Sequence, residues 1–105
     1  MVSFRFPGGA MGRSSEIVEP RMAILEEMGY SSYDWTVLTG DADNRQYDKS
    51  AAALTDNVLE KTRGRGKLIV LMHDSGDKQT TLDALPAIIT GLREQGYQFD
   101  ILLNY

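Results

Sequence analysis

The sequence contains no cysteine and a single histidine. The missing thiols exclude disulfides and thiolate-bound metals and leave the redox compartment open. With one histidine, a zinc site of the usual ligand types would need several carboxylates, and no convincing cluster of them is visible. Long apolar runs are also absent, none approaching the ~20 residues of a membrane span. Met1 to Gly9 lacks the charged start and long apolar stretch of a signal peptide, so the localisation is unknown. Basic residues are outnumbered, 11 against 15 acidic ones, for a net charge of −4. That balance offers no electrostatic reason to expect a nucleic-acid partner.

What is present suits one globular domain over residues 1–105, with 42% hydrophobic and 25% charged side chains. Val2 to Phe6 reads as a strand stopped by Pro7, Gly8 and Gly9. A loop follows to about Glu19. Pro20 suits the first turn of a helix whose face is Val18, Met22, Leu25 and Met28, with Gly29 as its stop. Ser32 to Leu38 is a second strand and Thr39 to Asn44 is loop chemistry. Ser50 is the N-cap of a helix with Ala51, Leu54, Val58 and Leu59 as its stripe. "KLIVLMH" (67–73) is a continuous apolar run, as expected of a strand buried on both faces. Thr80 or Thr81 caps a third helix, kinked or restarted at Pro86, with Leu85, Ile88, Ile89 and Leu92 inward and Gly96 at its end. Phe99 to Asn104 is the last strand.

The expected order is β-α-β-α-β-α-β: an α/β fold of four mostly parallel strands alternating with three helices, joined by right-handed crossovers. In such folds, sites gather at the carboxyl ends of the strands. Arg5 and His73 both lie near such ends. A lone histidine is otherwise most simply a satisfied core residue.

Three separated stretches sharpen this reading. "FRFPGG" (4–9), "YDWTVLTGDAD" (33–43) and "LMHDSGDKQTTLDALPAII" (71–89) resemble, in order and spacing, the third, fourth and fifth motifs of the polysaccharide deacetylases of NodB-homology type, carbohydrate esterase family four. "GLREQGYQFDIL" is similar to that family's usual ending. The resemblance covers nearly the whole chain. It implies half of a deformed (β/α) barrel of the NodB or glycoside hydrolase-deacetylase type. For the complete domain it implies metal-dependent removal of N-acetyl groups from chitin oligomers or peptidoglycan, or of O-acetyl groups from xylan. There a divalent metal, often zinc, activates a water, an aspartate acts as base and a histidine as acid.

The family's paired aspartates and two metal-binding histidines lie upstream of the arginine-proline motif, and only four residues precede Arg5 here. The chain therefore resembles the C-terminal half of the domain. It is expected to hold no metal by itself and to lack deacetylase activity alone. Its implied partners are an acetylated glycan and either a missing N-terminal half or further copies of itself. Family members usually act outside the cell.

The resemblance also assigns roles. His73 matches the catalytic acid, and imidazole suits protonation of a poor amine leaving group. Asp34 matches the carboxylate that tunes this histidine, so the two are expected within hydrogen-bonding reach. Trp35 and Leu71 match the walls of the acetyl-methyl pocket, ordinary core packing being the plainer alternative. Adjacent strand residues face opposite sides, so joint use of Asp34 and Trp35 requires the strand to end or bulge there, or one assignment to be wrong. Arg5 matches the arginine that holds the absent catalytic aspartate, and here would pair with a local acid or stay solvated. Asp74 reads as loop-forming. "GGAMGRS" falls one residue short of a phosphate loop, "DADNRQYDKSAA" lacks the glycine and glutamate of a calcium loop, and "RGRGK" reads as a solvated basic turn. The alternative function is a non-catalytic α/β module for carbohydrate binding or assembly.

Overall fold

The structure, a computed structural model, describes residues 2–10, 13–42 and 49–102. They form two compact units: one runs to Asp34 and resumes at Asp100, and the other is Trp35–Phe99.

In the first unit, β1 (Val2–Phe4) and β2 (Tyr30–Ser32) pair in parallel across the helix α1 (Ser15–Glu27), with Phe4 opposite Ser32. The ladder stops short of the expected Phe6, whose buried ring meets Phe4 edge-on at 5.1 Å. Gly8 and Gly9 then turn the chain at φ +76° and +87°, values at which a side chain would be strained. Helix α1 begins earlier than expected. Ser14 caps it by accepting from the Glu16 amide, so Pro20 lies inside the helix rather than in its first turn. Proline there removes the donor for the Glu16 carbonyl, and Glu16 is exposed, so water can replace that bond. Of the expected face, Val18 is buried, Met22 and Leu25 are half-buried and Met28 is exposed.

In the second unit, β3 (Val37–Leu38) pairs in parallel with β4 (Val70–Leu71), Leu38 opposite Leu71. Between them runs α2 (Ala51–Lys61), and α3 (Gln79–Glu94) follows β4. The core of this unit is the α2–α3 contact: Leu54, Val58, Ala84, Ile88 and Leu92, with Leu59, Val70 and Tyr97 against it. Ser50 caps α2 as expected, accepting from the Ala53 amide at 3.2 Å. Helix α3 runs through Pro86 unbroken. The carbonyl that proline deprives belongs to Leu82, which is exposed, so solvent can replace that bond. Neither Thr80 nor Thr81 caps α3; Lys78 holds that position without a side-chain bond.

The strands differ from those expected in extent, while the α/β class with short parallel strands and three helices stands. The second expected strand divides into β2 and β3, and residues 33–36 belong to neither. This answers the difficulty at Asp34 and Trp35, because the strand ends before them and the face alternation does not apply. The run at 68–73 is half-buried rather than buried on both faces. Residues 99–102 join no ladder, and Leu103 and Asn104 of the expected last strand lie outside the described residues, as do Asp43 and Asn44 of the expected loop.

Candidate functional site

The paired register of β3 and β4 sets up the site. Three residues beyond Leu38 stands Asp41, and two beyond Leu71 stands His73, both just past the carboxyl ends of adjacent parallel strands. Thr39 extends the pairing, its amide and its hydroxyl both donating to the Leu71 carbonyl at 3.1 Å. Gly40, at φ +89°, then bends the backbone in a region that a side chain would oppose. Helix α2 holds this turn through Asn57, whose amide donates to the Thr39 carbonyl at 3.2 Å.

Asp41 is 3% exposed and fully engaged. Its Oδ1 lies 2.8 Å from His73 Nδ1. Its Oδ2 accepts from the His73 amide at 2.7 Å and from the Thr81 hydroxyl at 2.8 Å. Burial pushes the Asp41 carboxyl up, but the side-chain and backbone bonds from His73 and the Thr81 hydroxyl outweigh it and hold the group below its ordinary value. An ionised carboxylate only accepts hydrogen bonds, so Nδ1 of His73 carries a proton and Nε2 is the nitrogen left for a substrate. The His73 side chain is 37% exposed. It borders a depression of about 410 Å³ lined by Met72, Asp74, Gly76, Gln79, Leu82 and Leu85, among others. Ser75 donates to Asp77 and lowers the pKa of that exposed carboxyl, which shapes the turn after His73.

The carboxylate that meets His73 Nδ1 is therefore Asp41, not the expected Asp34. Asp34 instead accepts from the Ala10 amide at 3.0 and 3.2 Å and so braces the Pro7–Gly9 turn of its own unit. Arg5 is exposed just after β1. Trp35 and Leu71 are half-buried, and neither lines the depression at His73. Two residues of the candidate site escaped the sequence reading. Asp41 was hidden in turn chemistry, although an acid three residues past a strand end was a usable signal. Thr81 looked like a helix cap.

Among the described residues, no group of three or more histidine, cysteine or acidic side chains could hold a metal ion. His73 Nδ1 and Asp41 are engaged with each other, so the described residues do not fit a metal centre.

The fold and the His73–Asp41 pair define an α/β chain with a polar site at parallel strand ends. No family model matches the sequence. A peptidoglycan-N-acetylglucosamine deacetylase of Bacillus cereus is 32% identical over 98 residues, covering 91% of this chain and 34% of the relative. A carbohydrate esterase family four esterase from Streptococcus mutans superposes with a TM-score of 0.80 at 28% identity, covering 92% of this chain and 42% of that one. The catalytic domain of a peptidoglycan N-acetylglucosamine deacetylase from Eubacterium rectale gives 0.79 at 27% identity, covering 96% and 46%. The chain is similar to part of the domain of the polysaccharide deacetylases of carbohydrate esterase family four. It spans about a third of the length of the curated relatives it matches.

Proposed function

We propose that this chain supplies the proton-donating side of a glycan deacetylation site, with His73 as general acid and Asp41 behind it. The observation that carries this reading is the 2.8 Å contact between His73 Nδ1 and a buried, multiply hydrogen-bonded Asp41. Amide hydrolysis expels an amine, which must gain a proton as the C–N bond breaks. A carboxylate on Nδ1 orients the ring, so that a proton on Nε2 can be given to the leaving nitrogen. The relatives' names point to an acetylated glycan, and peptidoglycan is the first substrate to test.

A zinc-like divalent metal would supply an activated water in a complete domain. The described residues do not form its site, and no step through it is assigned to this chain. On this reading Arg5 would hold a carboxylate contributed by the remainder of the domain. Trp35 and Leu71 would contribute apolar surface near the acetyl group. Asp34 would act indirectly, by bracing the turn that follows Arg5.

The test is acetate release from peptidoglycan fragments, chitin oligomers and acetylated xylan in the presence of zinc. The pure chain is expected to release none. Mixing it with a polypeptide carrying the N-terminal half of a family domain should restore release, and His73→Ala should lower it by about 10²–10⁴-fold. Release by the chain alone, or release from the mixture that His73→Ala leaves undiminished, overturns the assignment. Sugar binding without release in every mixture would favour a non-catalytic module.

A further inference from the structure

We propose that Thr81 is a positioning residue for His73, acting through Asp41 to fix which nitrogen of the imidazole carries the proton. The importance of this role rests on the reading of His73 as an acid; its test does not. Thr81 stands in the first turn of α3, where a threonine would ordinarily cap the helix or face water. Here it is 4% exposed, and its hydroxyl donates to Asp41 Oδ2 at 2.8 Å. It lies on the buried stripe of α3 with Ala84, Ile88 and Leu92. Those three pack against Leu54 and Val58 of α2, so the core sets the rotation of α3 and thereby the aim of the hydroxyl.

The geometry divides the work between the two carboxylate oxygens. Thr81 and the His73 amide both occupy Oδ2, which fixes the plane of the carboxylate. Oδ1 is then presented to Nδ1. Without the hydroxyl, one of the two anchors on Oδ2 is lost, and a buried carboxylate must turn to seek another donor. The Nδ1–H tautomer would lose its preference, and the ring would drift toward the Nε2–H form that imidazole favours when free. That form presents a different proton pattern to any substrate. The helix packing and the protonation state of the ring are in this way one mechanical unit.

Because His73 is the only histidine in the chain, its ring nitrogens give unambiguous ¹⁵N signals. The experiment compares the neutral-ring tautomer in the wild type, Thr81→Ser and Thr81→Val. The wild type and Thr81→Ser are expected to hold Nδ1–H predominantly, and Thr81→Val to raise the Nε2–H fraction several-fold with its helix content retained. A merely structural Thr81 would lower the stability of Thr81→Val and leave the tautomer unchanged, which overturns the proposal. If Thr81→Val does not fold, the wild-type Thr81 hydroxyl proton decides: slow exchange and coupling to Asp41 support the role, and free exchange with solvent overturns it. Loss of the deacetylase reading would instead show as absent acetate release in the reconstituted domain, whatever the tautomer.

Discussion

His73 Nδ1 lies 2.8 Å from Asp41 Oδ1 across the carboxyl ends of two adjacent parallel strands, and the backbone amide of the same histidine bonds the other oxygen of that carboxylate. One acid therefore holds both the main chain and the ring of the candidate catalytic residue. Removing it affects stability and chemistry together.

Asp41→Asn should destabilise the chain by about 2–3 kcal/mol, the scale of lost hydrogen bonds to a buried charged group. The new amide NH₂ cannot accept from a third donor, so one of His73 Nδ1, the His73 amide and the Thr81 hydroxyl loses its partner. Urea unfolding of the two proteins measures the difference, and equal midpoints would refute the role.

Acid should weaken the wild type more than Asp41→Asn. Asp41 has a folded pKa held below its ordinary value. Its contribution to stability is therefore present above the unfolded value near ~3.9 and is lost as pH falls through the folded one. Thermal unfolding across the acid range should show the two curves converging as pH drops.

Gly91→Ala tests the α2–α3 contact that orients Thr81. A methyl group there would meet the Leu59 side chain at 2.5 Å from Cδ2 and 2.6 Å from Cδ1. Alanine favours a helix over glycine by about 1 kcal/mol, while overpacking typically costs about 1–3 kcal/mol. A net loss of about 1 kcal/mol is expected from these two terms, and a gain in stability would show that Leu59 yields freely.

Ser50→Ala should cost about 1 kcal/mol, because the hydroxyl satisfies the Ala53 amide at the start of α2. Ser50→Asp should retain most of that. Chemical denaturation of the two variants distinguishes the cap from a general effect of the loop.

In the reconstituted domain, His73→Ala should lower acetate release from an amide substrate by about 10²–10⁴-fold, the usual scale for a general acid. Substrates with a better leaving group should suffer less, because they need less protonation. An equal loss on both substrate types would argue against the acid role.

The α/β class, the three helices, the cap at Ser50 and the stops at Gly29 and Gly96, which adopt φ +83° and +96°, were all legible in the residues alone. These are local matters of side-chain period and backbone freedom, and they are written in neighbouring residues. The apolar run that ends at a strand terminus also singled out His73. The partner of His73 was a different matter and emerged only from the folded chain. Asp34 and Asp41 both lie in the matched motif, and choosing between them depends on the β3–β4 register and on the bend at Gly40. Thr81 likewise became a hydrogen-bond donor to Asp41, rather than a cap, because the packing of Ala84, Ile88 and Leu92 against α2 turns it inward. Pro20 and Pro86 misled for a related reason: proline removes one bond from a helix, and an exposed carbonyl can give that bond to water. Local chemistry sets what each residue can do, and long-range packing sets which partner it meets.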